Sequence, residues 1–220
     1  ALIASLIASA TSGALGLEKF EVALTATTVL DATGVVRLVV LGIVFGIVGG
    51  AFAWCLAHAK TLAGRLAPNP YVRIGVTGAA LSILLFALWQ GRYCGLGTNL
   101  ISAAFANSAT IYSWDWIAKF ILTIVTLAAG YQGGEVTPLF SIGASLGIAV
   151  SGLVGIDPLL CAALGYAAVF AGATNTLLAP VLIGLEVFGA NDMVPFLIVC
   201  IFAYLVNGDK SIYGAQEVRK

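Results

Sequence analysis

Six neighbouring residues have the types and spacing to handle an anion: Gly133-Gly134-Glu135-Val136-Thr137-Pro138. Paired glycines let a backbone take conformations closed to other residues. Pro138 suits the first turn of a helix, where its missing N–H costs nothing. A helix starting near Thr137 would present N–H groups with no partner of their own, at the positive end of its dipole. Inside a membrane, such an end is a site for an anion. Thr137 could add a hydroxyl donor, or simply cap the helix. Glu135 could complement the dipole. A carboxylate at membrane depth is costly, however, which favours a functional role.

The elements around this elbow belong in a bilayer. Of the 220 residues, 60% are hydrophobic and 9% charged, and the mean hydropathy is +1.05. Soluble domains carry about a quarter charged residues. The formal net charge is zero, which leaves no footprint for nucleic acid. Cys55, Cys94, Cys161 and Cys200 are widely spaced without a C-x-x-C. They read as small core residues, not as a disulfide framework or metal site. No HExxH, Ser–His–Asp set or nucleotide-binding loop is present, so neither an enzyme nor a cofactor is expected.

Along the chain the pattern is all-helical, with broken segments and some too short to span. Eight to ten helices are expected, in one transmembrane region over residues 1–220. The opening has no initiator Met and no basic leader, and its abrupt start suggests preceding sequence. Ala4, Ala8 and Ser12 form a small-residue stripe. Residues 17–34 read as an extramembrane linker. Residues 38–57 are long enough to span, with Gly42, Gly46 and Gly50 on one face for a neighbouring helix. His58, Lys60, Arg65 and Arg73 form a basic cluster in what reads as a cytoplasmic loop. His58 reads as a satisfied or solvated histidine in preference to a proton relay. Residues 74–89 form another helix, anchored by Trp89 and ended by the glycines from Gly91 to Gly97. Residues 98–106 read as re-entrant, with Trp114 and Trp116 at a second interface.

Beyond the elbow, residues 136–156 carry Gly143, Gly147, Gly152 and Gly155, so burial in protein is expected. Asp157-Pro158 reads as an N-cap and first helical residue. Gly172-Ala173-Thr174-Asn175 and Pro180 split residues 158–185 into two helices. Glu186 closes the second, and reads as structural. Residues 193–206 form the next, closed by Asn207-Gly208. Asn175 and Asn191 read as caps or interhelical donors. Ser211-Ile212-Tyr213 opens what reads as a capped helix with a charged end. From its position alone, Tyr213 is an interface anchor.

Gly133-Gly134-Glu135-Val136-Thr137-Pro138-Leu139-Phe140, continuing Ile142-Gly143-Ala144-Ser145-Leu146-Gly147, resembles the G-G-x-F-x-P…G-A…G motif of CLC chloride channels and proton antiporters. Residues 168–180 resemble the alanine-rich helix pair that follows it, Glu186 the glutamate ending that pair, and Ser211-Ile212-Tyr213 the final tyrosine segment. The resemblance covers most of the chain but only the C-terminal half of a CLC-type inverted-repeat fold. The first-repeat motifs G-S-G-I-P and G-R-E-G-P are absent. Glu135, Val136 and Thr137 depart from the chloride branch, and Gly-Gly-Glu-Val-Thr-Pro is similar to the fluoride/proton antiporter branch. The resemblance therefore implies a fluoride/proton antiporter exporting fluoride, with a chloride channel or chloride/proton antiporter as the alternative. It implies a homodimer in a bacterial inner membrane, in contact with lipid. Anion ligands would come from Glu135, Val136, Thr137 and Tyr213, with proton coupling through Glu135 and the helix break at Gly133, Gly134 and Pro138. Fluoride is small and strongly hydrated, so the hydroxyls of Thr137 and Tyr213 would offset its desolvation.

Overall fold

No proline falls between Ala32 and Leu66, and a single 35-residue helix runs the whole way. The computed structural model describes residues 2–17, 19–24, 30–88, 91–106, 108–214 and 216. Within them the α-helices are α1 (Leu2–Ala14), α2 (Ala32–Leu66), α3 (Pro70–Ala87), α4 (Thr98–Ala106), α5 (Asp115–Ala129), α6 (Val136–Val154), α7 (Pro158–Thr174), α8 (Leu178–Phe188) and α9 (Met193–Val206). Three of the described helices, α2, α3 and α6, are long and apolar enough to cross a membrane. The expected anchor Trp89 and the charged end at residues 217–220 lie outside the described residues, as does Glu18 of the linker.

α2 corrects one expectation. His58, Lys60 and Arg65 stand in its last turns, not in a loop; the connection to α3 is only residues 67–69. The sequence there is rich in alanine and leucine, both strong helix formers, and nothing stops the helix before Pro68 and Asn69. Asn69 then caps α3 by accepting from the N–H groups of Tyr71 and Val72, with Pro70 as its first residue. His58 is satisfied locally, with Nδ1 2.8 Å from the Trp54 carbonyl oxygen.

The core forms where backbones touch. A Cβ on Gly42 would lie 2.8 Å from the Val199 oxygen, and one on Gly46 2.6 Å from the Ala203 oxygen. The glycine stripe of α2 thus faces α9, as its spacing requires. Gly49 meets α7 in the same way, at the Val169 oxygen. α6 and α7 interlock still more closely: Gly143 sits against Gly165, and Gly147 against Cys161. These pairings make the two helices antiparallel. Leu139, Ile142, Leu160 and Leu164 are fully or almost fully buried around the seam, and Phe140 stacks on Tyr166 with centroids 4.0 Å apart. Gly152 does not share this role. No atom lies within 4 Å of its Cβ position, and Gly155 ends α6 in the left-handed region (φ 70°).

Two segments differ from expectation at the ends of the chain. In the small stripe of α1, Ala4 and Ala8 are exposed and Ser12 is partly buried. Ser211–Gly214 is not helical. The Ile212 N–H donates to the Ala173 oxygen (2.9 Å) and the Ser211 hydroxyl to the Thr174 oxygen (3.2 Å). Asn175, left-handed at φ 52°, caps α7 and accepts from Asn207 Nδ2. Glu186 lies inside α8, two residues short of its end, and pairs with Lys19 of the linker at 3.0 Å. That partner raises the Lys19 pKa.

Candidate functional site

The break before α6 is made by a different glycine from those expected. α5 ends at Gly130, whose φ of 103° only glycine adopts readily. Gly133 and Gly134 have no positive φ. Their contribution is bare backbone. Nothing lies within 4 Å of a Cβ on Gly133, and Gly134 approaches only Leu96 Cδ2, at 3.5 Å. Both line a cavity of about 560 Å³ whose other walls include Gly78, Leu81, Lys119 and Thr123. Two anchors hold the elbow from α3: the Tyr131 hydroxyl donates to the Ile74 oxygen (2.9 Å), and Arg73 Nε to the Ala129 oxygen (2.9 Å).

α6 starts at Val136, with Glu135 in the N-cap position (φ −92°, ψ −23°). An acidic side chain there would ordinarily accept from the first N–H groups. That of Glu135 makes no capping bond. Its Oε1 lies 3.0 Å from Lys60 Nζ, near the end of α2. The side chain is 20% exposed and that of Lys60 47%. Glu135 therefore leaves the first N–H groups of α6 uncapped, and these have no partner inside their helix. Thr137 is the second helical residue, and Pro138 follows within the first turn.

The structure thus gathers Glu135, Val136 and Thr137 at one helix start. Tyr213 stands at the same end of the α6–α7 pair, because its neighbours Ser211 and Ile212 bond to the end of α7. Tyr213 is 46% exposed. Among the described residues no hydrogen bond joins it to Glu135 or Thr137.

Sequence reading missed Lys60 as a partner of Glu135, and it missed a buried polar cluster. α5 begins at Asp115. Asp115 is fully buried and accepts from Arg92 Nη2 (2.5 Å), the Tyr93 hydroxyl (2.7 Å) and the Tyr112 N–H (2.9 Å). Lys119, 2% exposed, donates to the carbonyl oxygens of Tyr93 (3.1 Å) and Gly95 (2.6 Å). One face of α5 thus fixes the loop between α3 and α4 through paired charges and capped carbonyls, which is how buried charge is tolerated. The available signal was an acid four residues before a base at the head of an apolar helix.

A family model described as voltage gated chloride channel matches residues 1–208. A curated relative, the chloride/fluoride channel protein of Pseudomonas syringae pv. tomato, is 34% identical over 99% of this chain and 49% of its own length. The H(+)/Cl(-) exchange transporter of Yersinia pestis is 28% identical over 81% of this chain and 41% of its own. Among solved structures, the crystal structure of a CLC-type fluoride/proton antiporter matches with a TM-score of 0.91 and 51% identity, over 94% of this chain and 52% of that one. The chain spans about half the length of these relatives.

Proposed function

The chain belongs to the voltage gated chloride channel family, and on that premise we propose that it forms the C-terminal repeat of a fluoride/proton antiporter. Its 220 residues are read as a single transmembrane region of an integral membrane protein, in a bacterial inner membrane. The observation that carries the reading is the open start of α6. N–H groups with no partner inside their own helix stand there beside a carboxylate that does not cap them. The 51% identity to a CLC-type fluoride/proton antiporter supports the choice of ion. The backbone N–H groups of Glu135, Val136 and Thr137, with the hydroxyls of Thr137 and Tyr213, would ligate the anion. Glu135 would carry the proton. A chloride/proton exchanger of the same fold is the second reading, favoured by the 28% identity to the Yersinia exchanger.

Fluoride efflux against chloride efflux from liposomes separates the two. Thr137→Ala and Tyr213→Phe each remove one donor, and a hydrogen bond to a charged partner contributes roughly 1.5–3 kcal/mol. Each substitution is therefore expected to slow fluoride efflux about tenfold or more, with a smaller effect on chloride leak. Unchanged fluoride flux in both would remove the site.

Assembly as a homodimer is part of the same reading. Ile3 and Ile7 of α1, Leu178 and Leu182 of α8 and Leu205 of α9 are all more than half exposed, on the segments where the family resemblance puts a partner. Subunit counting by single-molecule photobleaching in bilayers is expected to find pairs. A species that stays monomeric and active at all protein densities would count against it.

A further inference from the structure

We propose that the groove between α5 and the last turns of α2 binds one anionic phospholipid of the cytoplasmic leaflet, with an acyl chain along the groove and the phosphate at Arg65. Such a site is independent of the ion that the elbow carries.

Trp54, His58, Thr61 and Arg65 follow one another at steps of four, three and four residues, so they share one face of α2. Opposite them stand Phe120, Ile121, Ile124 and Val125 of α5, and the two faces line a groove of about 800 Å³. Near its Trp54 end, Phe52 meets Phe120 edge to face, with ring centroids 5.3 Å apart. Trp54, Leu62 and Ile121 are each more than half exposed, so the groove is open to an apolar chain from the bilayer. From Trp54 to Arg65 the stripe is about 16 Å long at 1.5 Å per residue. That is close to the roughly 15 Å depth of hydrocarbon in one leaflet. A lipid whose chain lies along the stripe therefore brings its phosphate to Arg65.

Charge selects the headgroup. Arg37, Arg73 and Arg92 each donate to an oxygen of the protein. Among the described residues Arg65 makes no hydrogen bond or ion pair. His58 spends Nδ1 on the Trp54 carbonyl and leaves Nε2 for a second partner. No acid is among the residues lining the groove, and Glu135 is held by Lys60. Residues 38–57 carry no charge, so the basic run from His58 to Arg65 meets the headgroups on the face where positive charge gathers. That leaflet holds the anionic lipids, and a guanidinium grips a phosphate with two parallel hydrogen bonds. A free phosphate would use Arg65 alone; the apolar walls beside it are what select a molecule with an acyl chain.

The test uses the full-length protein in phosphatidylcholine vesicles, with brominated phosphatidylglycerol or brominated phosphatidylcholine as the probe. Bromine on a chain in the groove quenches Trp54 fluorescence, and Trp54→Phe gives the background from the other tryptophans. The contact with a charged phosphate is expected to make phosphatidylglycerol about tenfold more effective than phosphatidylcholine at equal mole fraction. Arg65→Gln should bring that ratio below about twofold. Arg37→Gln, which loses the same charge at the other end of α2, should keep it. Ala57→Phe places a ring in the groove and should weaken quenching by both lipids. Sodium phosphate should leave the ratio as sodium chloride of equal ionic strength does; its collapse in phosphate alone would assign Arg65 to a soluble anion and overturn the lipid. Equal quenching by the two lipids in the parent overturns the inference, as when another part of the full-length protein covers the groove. So does a parental ratio in Arg65→Gln or, should that variant not fold, unchanged quenching in Ala57→Phe.

Discussion

Gly143→Val is expected to abolish recovery of folded protein. The seam of α6 on α7 leaves no room for a side chain at this position. A Cβ would run into the backbone carbonyl of Gly165, whose own Cβ position points back at the Gly143 carbonyl. Both obstacles are main chain, so neither can swing aside. The helices would have to part, opening the packing around Ile142 and Leu164, which are fully buried. Overpacking a core typically costs about 1–3 kcal/mol even when side chains can adjust. Here they cannot, against a total stability on the order of 5–15 kcal/mol for a domain. Size-exclusion thermal-stability measurements in detergent would show the loss. Gly152→Ala is the control. It lies on the same helix with an open Cβ position, and its midpoint should stay the same or rise, because alanine is the better helix former. A parental midpoint for Gly143→Val would mean that the α6–α7 contact is looser than described.

Glu135→Gln is expected to separate the two fluxes. Glutamine keeps the shape and loses the titration, so anion efflux should persist while pH-gradient-driven fluoride uptake fails. A group positioned for proton transfer contributes roughly 100-fold or more, so proton flux should fall at least about tenfold. The expectation comes from geometry. Glu135 occupies a capping position without capping, and it pairs with a cation. Reconstituted vesicles with an internal pH dye report proton flux, and a fluoride electrode reports the anion. Intact coupling in this variant would reduce Glu135 to an acid that complements the helix end.

What the sequence made legible follows from which signals are local. The elbow, the short helix Thr98–Ala106, the Asp157-Pro158 start and the stop at Asn175 all rest on glycine, proline or capping chemistry within a few residues, and the structure has each of them. The stripe at Gly42, Gly46 and Gly50 was readable because four-residue spacing gives one helix face. What escaped was either the continuation of a helix through polar residues or a contact distant in sequence. Charge at residues 58–65 suggested a loop, yet lysine and arginine are good helix formers and can end a helix that leaves the bilayer. Lys60 and Glu135 are 75 positions apart, and no periodicity joins them. The Asp115 and Lys119 cluster escaped because its partners, Arg92, Tyr93, Tyr112 and Gly95, lie in loops 3–26 positions away and are invisible in composition. Residues 211–214 read as a helix start, but the Ile212 N–H and the Ser211 hydroxyl seat this segment on the carbonyls at the end of α7.

The way residues 211–213 seat on the end of α7 also sets an order of assembly. Translation delivers α6, α7 and the elbow between α5 and α6 before it delivers Ser211, Ile212 and Tyr213. The receptor for this segment, the Ala173 and Thr174 carbonyls, is therefore complete before its occupant emerges. A nascent chain that has inserted as far as α9 holds the bare amides of α6 without the phenol. The segment arrives as a latch on a finished frame, so Tyr213 takes its place only once the helices beneath it are in place.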